Sequence, residues 1–326
     1  MKHVFGPVLS RQLGNILKVD PVPYKACNWD CVYCQLGATR VLVDEPREYS
    51  PARDIVGELE FALAHLGLEK LDHIVLEGSG ETLLYADTGE LIQKIKLLTD
   101  VPLAVVTNGS LLIRDEVRRP ILDADIILPS FDAAHTELFE RINRPHFSCS
   151  YNKQLEGLCL LREEYGGKLW VEVMLIRGVN DTEEALKDLE AIFEMIEPDE
   201  IHLKLPHRPV SEAWVRPPTE EGIMRAVSIL GHASKVIHPT EGEKLCSSFE
   251  SVDRGILKAV RRHPMTHVEL DRTLTRWAPG TVGTALYDLE KRGELKEIER
   301  YGTTFWCDAN SGFAEKRAHG DLVGVL

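Results

Sequence analysis

The sequence lacks an excess of basic residues, a long apolar run and a paired set of cysteines. Its 326 residues include 38 Lys and Arg against 52 Asp and Glu, a net charge of -14. That balance argues against a generally basic nucleic-acid binder, because neutralising phosphates needs clustered cations. No apolar run approaches the length that spans a bilayer, and the first residues show no charged segment followed by an apolar core. We therefore expect a cytoplasmic chain with no membrane partner.

The seven cysteines do not suggest a disulfide framework, because their number is odd and their spacing is uneven. Four of them are scattered, namely Cys149, Cys159, Cys246 and Cys307. A second metal cluster would require the fold to bring three or four of these together. The favoured interpretation is buried apolar thiols, because unpaired Cys is among the most buried residue types.

The other three cysteines, Cys27, Cys31 and Cys34, are spaced C-x3-C-x2-C. A structural zinc site needs four ligands, whereas thiolates are the usual ligands of iron-sulfur clusters. Three thiolates suit a [4Fe-4S] cluster with one iron left open to a small molecule. The alternatives are a zinc site completed by a distant ligand and a core without metal.

Apolar segments alternate with amphipathic segments along most of the chain. Strands are predicted at 15–19, 73–77, 101–107, 125–129, 169–176 and 200–205, and helices at 54–66, 90–98, 116–122, 152–164 and 183–196. The turn-rich segment 6–14 is expected to lead into the first strand. This alternation predicts an α/β fold with a parallel sheet built from right-handed crossovers.

Parallel sheets of this kind carry their working residues in the loops at the carboxyl ends of the strands. Five such loops combine polar or charged groups with small residues, at 77–81, 107–110, 130–132, 177–181 and 206–209. We expect these loops to line one cleft.

The pattern changes after residue 238. We divide the chain into a core with an N-terminal extension (1–238), a linker (239–252), a small domain (253–309) and a poorly packed tail (310–326). Helices predicted at 254–263, 268–274 and 281–292, followed by a hairpin, make the small domain resemble a winged helix-turn-helix.

The cysteine triad, with Tyr33 before its last member and Gly78-Ser79-Gly80-Glu81 after the second predicted strand, resembles the radical S-adenosylmethionine (radical SAM) superfamily. The resemblance implies a partial (β/α)6 barrel in which the open iron chelates the amino and carboxylate groups of S-adenosylmethionine (SAM). The segments 6–14, 21–23, 35–37, 178–181 and 208–209 look like a subgroup described as wyosine-synthetase-like iron-sulfur oxidoreductases.

The resemblance also implies a set of residues that bind SAM. They are Tyr33, Gly78, Ser79, Gly80, Glu81, Asn108, Ser130, Asp132, Arg144 and Asn180. Tyr33 would pack near the adenine, the 78–81 loop would receive the amino group, and Arg144 would pair with the carboxylate. Ser130 and Asp132 would contact the ribose hydroxyls.

The same residues also have structural interpretations. The 78–81 loop is equally a tight turn, and Asn108-Gly109 is a sequence that turns favour. Ser130, Asp132 and Asn180 are residue types that cap helices. Arg144 is otherwise a solvated surface arginine.

Four residues are candidates for substrate binding, namely Arg11, Lys204, His207 and Arg208. A lysine on an apolar strand is costly unless its ammonium reaches a partner or a cavity. His202 and Lys204 alternate with apolar residues, so both should point to one face of the sheet. That face is either the barrel interior, which would make them functional, or the helix layer, which would make them structural.

The implied chemistry is reductive. An electron enters the cluster from a flavodoxin-type or ferredoxin-type donor, SAM is cleaved to methionine and a 5'-deoxyadenosyl radical, and the radical abstracts hydrogen from a substrate. The substrate is unassigned and is a small molecule, a peptide or a nucleoside.

Two alternatives are considered. Wyosine synthases carry a second cluster from further N-terminal cysteines and bind tRNA, whereas no cysteine precedes Cys27 here and the net charge is acidic. The predicted recognition helix begins at 281–288 without a basic residue, so we expect the small domain to dock a protein or present substrate rather than read DNA. An iron-sulfur regulator that senses redox state and binds nucleic acid is the alternative from another class, and it would need no SAM cleft.

Overall fold

The computed structural model describes residues 1–65, 71–238, 251–274 and 279–313. Its core is an eight-stranded sheet whose strands follow one another in chain order. These are β1 (Val4–Ser10), β2 (Gly14–Val19), β3 (His73–Leu76), β4 (Leu103–Thr107), β5 (Ile126–Pro129), β6 (Lys168–Met174), β7 (Glu200–Lys204) and β8 (Ser234–Ile237). β1 runs antiparallel to β2, and every later neighbouring pair is parallel. The sheet curls into a half-barrel.

Helices cover the outer face of the half-barrel. They are α1 (Ala52–His65), α2 (Thr88–Leu98), α3 (Asp115–Arg118), α4 (Thr136–Asn143), α5 (Tyr151–Glu164), α6 (Glu183–Ile196) and α7 (Glu220–Leu230). Ile74 and Leu76 of β3 pack with Ile55 and Leu59 of α1 in the main hydrophobic cluster. Val75, between them, belongs to a separate cluster on the inner face. Strands that are apolar on both faces are what a parallel sheet between two packed layers requires.

The α/β class and the parallel half-barrel are therefore confirmed, and all six predicted strands form. The segment 6–14 differs from expectation, because most of it is the edge strand β1 and its turn into β2. The register between β1 and β2 shifts between Phe5 and Val8. A bulge on an edge strand tolerates the Gly6-Pro7 pair that reads as a turn in the sequence. β8 and α7 were not predicted.

The C-terminal unit contains α8 (Val252–Val260), α9 (His267–Leu274), α10 (Val282–Lys291) and an antiparallel hairpin of β9 (Leu295–Arg300) and β10 (Thr303–Asp308). It has its own hydrophobic cluster, which includes Ile256, Leu270, Leu286 and Trp306. Three helices and a hairpin thus form as predicted, while a winged-helix function stays a prediction. Most of the predicted linker, with Cys246, and most of the predicted tail lie outside the described residues.

Candidate active site

The three cysteines of the triad lie in the long loop between β2 and α1, which we call the cluster loop (residues 20–51). Cys27, Cys31 and Cys34 line a single cavity of about 450 Å³, and all three are free thiols. The cavity also contacts the loops that follow β3, β4, β5 and β7. The loops at the carboxyl ends of these parallel strands therefore meet over the triad, as the alternating pattern predicts.

Each sulfur of the triad receives an N–H group. The Trp29 backbone donates to Cys27 Sγ at 3.4 Å, Asn143 Nδ2 to Cys31 Sγ at 3.7 Å, and Lys25 Nζ to Cys34 Sγ at 3.3 Å. Such donors stabilise negative charge on sulfur. Burial, together with nearby Glu81, raises the pKa of Cys27 to about 12. Thiolates are the usual ligands of iron-sulfur clusters, and a bound metal would favour that form.

An iron-sulfur cluster fits these residues. The indole of Trp29 lines the cavity, and its buried Nε1 has no hydrogen-bond partner among the described residues. In the described part of the chain, no three His, Cys, Asp or Glu side chains are placed to hold a single metal ion. Three ligands of a cluster bind three different irons, so they need not converge on one point. The donor set matches a [4Fe-4S] cluster held by three thiolates.

The glycine loop at residues 77–81 packs directly against the cluster loop. Lys25 N donates to Ser79 O at 2.6 Å, and Glu81 N donates to Ala26 O at 2.8 Å. A Cβ placed on Gly80 would overlap the Ala26 carbonyl. Glycine at position 80 is therefore required for the two loops to touch.

Glu81 is buried and joins the carboxyl end of β3 to the carboxyl end of β4. Its carboxylate accepts hydrogen bonds from Thr107 Oγ1 at 2.5 Å, Asn108 N at 2.7 Å and Leu83 N at 2.9 Å. Burial raises the pKa of Glu81 in spite of these donors. Asn108 in turn donates from Nδ2 to Asn28 Oδ1 of the cluster loop at 2.7 Å. Both residues line the cavity, and their contact with SAM stays a prediction.

Seven of the ten residues expected to bind SAM line the cavity, namely Tyr33, Gly78, Ser79, Gly80, Glu81, Asn108 and Ser130. Asp132, Arg144 and Asn180 are not among the described residues of its wall. The structure thus brings Tyr33 of the cluster loop together with residues of the loops at 77–81, 107–110 and 130–132, while Asp132, next to the wall, contacts the cavity residue Tyr33.

The polar side-chain atoms of Asp132 and Asn180 already form hydrogen bonds with other groups of the protein. The Asp132 carboxylate accepts from Tyr33 Oη at 2.5 Å, Asn143 Nδ2 at 2.8 Å and Met174 N at 2.8 Å. Asn180 is fully buried and binds three backbone groups at 2.7–2.9 Å. Neither caps the helix that follows, because His135 caps α4 and Thr182 caps α6. These hydrogen bonds hold Tyr33 and the ends of β5 and β6 in place, and contact of Asp132 or Asn180 with SAM stays a prediction.

Arg144 lies outside the cavity and pairs with two acids. Its Nη1 is 2.6 Å from Glu212 Oε1 and 3.7 Å from Asp30 Oδ2. Asp30 belongs to the cluster loop, so Arg144 helps to hold that loop in place, and its pairing with the SAM carboxylate stays a prediction.

The four substrate candidates all line the cavity. Lys204 is 3.0 Å from both oxygens of Glu172 on the inner face of the half-barrel. Arg11 is exposed at the tip of the β1–β2 turn. The buried Nε2 of His207 has no hydrogen-bond partner in the described part of the chain, and burial lowers the pKa of this imidazole.

Arg208 differs from the other three candidates, because its guanidinium group already makes hydrogen bonds to the C-terminal unit. It donates to Glu269 of α9 at 2.6 and 2.9 Å and to Pro264 O at 2.6 Å. This bidentate pair joins the half-barrel to the C-terminal unit. Arg208 therefore positions that unit, and its contact with substrate stays a prediction.

His202 and Lys204 both lie on the inner face of the half-barrel and not against the helix layer. His202 is buried beside Trp170, with Nε2 2.8 Å from Glu200 and Nδ1 3.0 Å from Gln12 Nε2. It points into the half-barrel but is enclosed by partners, whereas Lys204 reaches the cavity. Lys18 and Glu77 form a second ion pair there at 2.9 Å.

Several cavity residues were missed by the sequence analysis. Gln12, Lys18, Glu172, Arg262 and His263 all line it. Glu172 could have been found, because a lone carboxylate inside the apolar strand 169–176 needs a cationic partner. Arg262 and His263 could not have been found from the sequence, because they follow α8 and reach the cavity only through tertiary packing.

Among the other cysteines in the described part of the chain, none lines the cluster cavity. Cys307 is buried with Phe305 and Phe313, and Cys159 packs on the outside of the main hydrophobic cluster. Cys149 is half-buried beside Asn28. No helix in the described ranges combines the length and the apolar character needed to cross a bilayer.

Comparison with known proteins agrees with this geometry. The family model of the radical SAM superfamily matches residues 22–189. The UPF0026 protein of Methanocaldococcus jannaschii is 30% identical over 311 residues, which cover 94% of this chain and 96% of that protein. A protein of Brachyspira hyodysenteriae named GTPase Obg is 38% identical over 225 residues, covering 69% of this chain and 33% of that protein. The chain thus matches only a third of this longer relative.

Among solved structures, SuiB of Streptococcus suis bound to S-adenosylmethionine superimposes with a TM-score of 0.51 and 15% sequence identity. The match covers 69% of this chain and 52% of SuiB. At this identity the likeness concerns the fold alone.

Proposed function

This chain belongs to the radical SAM superfamily, whose members use a [4Fe-4S] cluster and SAM, and from this premise we propose that it is a radical enzyme acting on a substrate held in the cluster cavity. The observation that carries the proposal is the convergence of three free thiols and the glycine loop on one cavity. The comparisons give no support to a redox-sensing regulator. A regulator would also have no use for a cavity of this size beside its cluster.

Cys27, Cys31 and Cys34 would hold the cluster, and the N–H groups beside their sulfurs would stabilise its negative charge. When bound, the cluster and SAM supply a 5'-deoxyadenosyl radical. The chain orients SAM between the cluster loop and the glycine loop, with Tyr33 fixed by its hydrogen bond to Asp132. A reduced flavodoxin-type or ferredoxin-type donor is the proposed source of the electron.

Substrate would lie between the triad and the inner face of the half-barrel. Arg11, Lys204 and His207 are the side chains of that space that we propose to contact it. Arg262 and His263 close the same space from the C-terminal unit. We therefore propose that the C-terminal unit presents or encloses substrate, and that the walls exclude water and stray hydrogen donors from the radical.

The test is anaerobic reconstitution with iron and sulfide, followed by dithionite and SAM, with 5'-deoxyadenosine measured by chromatography. The wild-type chain should form 5'-deoxyadenosine. Cys31→Ala should lose it together with part of the iron, because one of three cluster ligands is gone. Cys159→Ala is the matched control and should retain both iron and cleavage.

A fully loaded, reduced wild-type sample that forms no 5'-deoxyadenosine would contradict the proposal. A Cys31→Ala chain that still holds a complete [4Fe-4S] cluster would show that the ligand assignment is wrong. The iron and sulfide content of each sample separates these two outcomes.

A further inference from the structure

Lys25 precedes the first cysteine of the triad by two residues, and its side chain reaches the last one. Its Nζ lies 3.3 Å from Cys34 Sγ and donates to Gly37 O at 2.6 Å, while its backbone N–H donates to Ser79 O at 2.6 Å. The residue has a φ of 63°, a left-handed conformation that costs a non-glycine residue free energy unless its surroundings hold it there. The fold therefore places the Lys25 ammonium group beside Cys34, at a point held by both the cluster loop and the glycine loop.

The charge of Lys25 distinguishes it from the other groups that donate to the triad. Cys27 Sγ accepts from the backbone N–H of Trp29 at 3.4 Å, and Cys31 Sγ accepts from the side-chain amide of Asn143 at 3.7 Å. Both of those donors are neutral, and hydrogen bonds from a charged donor are roughly twice as strong as neutral ones. Within the described part of the chain, Lys25 is thus the one donor to the triad that brings a full positive charge.

The ionisable groups near the other two thiols are acidic. Asn143 Nδ2, which contacts Cys31 Sγ, also donates to Asp132 Oδ2 at 2.8 Å. Glu81 has a buried carboxyl group, and its backbone N–H donates at 2.8 Å to the carbonyl of the residue before Cys27. Carboxyl groups offer no positive charge to a cluster that gains an electron. The ammonium group at the third thiol is therefore the cation in direct contact with the triad among the described residues.

This contact bears on how easily a cluster at the triad is reduced. Reduction adds one negative charge, and a cation a few ångströms away stabilises that charge more strongly in a partly buried site than in water. Net charge and hydrogen bonds to the sulfurs are two of the factors that set the reduction potential of an iron-sulfur cluster. Lys25 supplies both.

We propose that the ammonium group of Lys25 raises the reduction potential of the cluster by stabilising its reduced form. One electron passes from the donor protein to the cluster, Lys25 keeps its proton, and no covalent bond forms or breaks at the lysine. The inference deepens the proposed function, because it rests on Cys27, Cys31 and Cys34 as the cluster ligands.

The test is an anaerobic redox titration of the reconstituted full chain without SAM, in which the visible absorbance of the cluster gives the reduced fraction. Three variants separate the charge from the contact: Lys25→Met removes both the charge and the donor, Lys25→Gln keeps a neutral donor, and Lys25→Arg keeps the charge. Lys291→Met, at an exposed position of α10, is the control with the same change in net charge. Iron and sulfide are measured in every sample.

We expect Lys25→Met and Lys25→Gln to lower the ratio of reduced to oxidised cluster about tenfold at the potential where the wild-type chain is half reduced. For a one-electron couple this change is a shift of about 59 mV to more negative potential. Lys25→Arg should stay within about twofold of the wild-type ratio, because the charge is retained. Lys291→Met should match the wild-type chain.

An unchanged potential in a fully loaded Lys25→Met sample would overturn the proposal. A wild-type potential in Lys25→Gln beside a lowered one in Lys25→Met would also overturn it, because the hydrogen bond and not the charge would then be responsible. If the neutral variants retain too little cluster to titrate, Lys25→Arg decides the question. A wild-type potential in that variant supports the role of charge, and a tenfold lower ratio contradicts it.

Formation of 5'-deoxyadenosine by the wild-type chain, measured separately with dithionite and SAM, distinguishes this inference from the proposed function. A lowered potential in Lys25→Met without SAM cleavage by the wild-type chain would contradict the radical function alone. SAM cleavage together with an unchanged potential in every Lys25 variant would contradict the role of Lys25 alone.

Discussion

Gly80 shows how much of the site depends on one absent side chain. It lets the glycine loop and the cluster loop exchange two backbone hydrogen bonds, from Lys25 and from Glu81. Because Cys27 follows the contact residue Ala26 directly, the position of the first thiol is tied to the end of β3. A sequence shows the glycine but not the carbonyl that it must accommodate.

We predict that Gly80→Ala destabilises the protein by about 1–3 kcal/mol, the usual cost of overpacking, and lowers the iron retained after reconstitution. The added Cβ would overlap the Ala26 carbonyl, so the two loops must separate. Chemical unfolding and iron analysis measure the two effects.

Gly57→Ala is the matched control. Gly57 is exposed within α1, and a Cβ there meets nothing within 4 Å. It should stabilise the helix by up to about 1 kcal/mol and leave the iron content unchanged. Equal behaviour of the two variants would show that the loop contact does not support the triad.

At the scale of elements, the pairing of Arg208 with Glu269 connects the loop after β7 to α9. Both side chains are largely enclosed, at 13% and 12% exposure. Burial alone would raise the pKa of Glu269, but hydrogen bonds and charge from Arg208 outweigh it and hold that pKa below its usual value. The ion pair therefore contributes stability as long as the carboxylate is ionised.

We predict that Glu269→Gln destabilises the docked C-terminal unit by about 3–5 kcal/mol, because Arg208 is left as an uncompensated buried charge. In the wild-type chain this contribution is complete above the unfolded pKa of about 4.3 and is lost as the pH falls through the lower folded pKa. The unfolding temperature of the variant should therefore change less with pH over the acidic range than that of the wild-type chain.

Glu290→Gln, on the exposed surface of α10, provides the control with the same charge change. It should keep the acid dependence of the wild-type chain. If Glu269→Gln also kept it, the interface would not depend on this pair.

At the scale of the whole molecule, the cluster cavity has walls from both ends of the chain. The half-barrel supplies the thiols and strand-end loops, while Arg262 and His263 enter from the C-terminal unit. The first residues of the predicted tail also pack, because Ala38 N of the cluster loop donates to Gly312 O at 3.1 Å. The C-terminal unit thus contributes residues to the wall of the cluster cavity.

We predict that SAM stabilises the reconstituted protein, since it would bind between elements that separate on unfolding. At one hundred times its dissociation constant the gain should be about 2.7 kcal/mol, measurable as a rise in the unfolding temperature under anaerobic conditions. The chain without its cluster should gain much less, because the open iron is missing. An equal gain in both samples would mean that SAM does not bind through the cluster.

The sequence by itself determined the chemistry and most of the architecture. Thiolate spacing and glycine placement are local, and the alternation of apolar strands with amphipathic helices is read within short windows. Tyr33, Glu81 and Ser130, which the family resemblance implies bind SAM, all line the cavity. Only the tertiary structure decided which polar residues have their hydrogen-bonding groups occupied by neighbouring residues. Asp132 accepts hydrogen bonds from Tyr33, Asn143 and the backbone of Met174, Asn180 binds backbone groups, and Arg208 pairs with a carboxylate 61 residues away. The contact of α8 with the N-terminal segment, in which Lys258 Nζ donates to Met1 O at 2.8 Å, likewise joins two ends of the chain that no short window of sequence brings together.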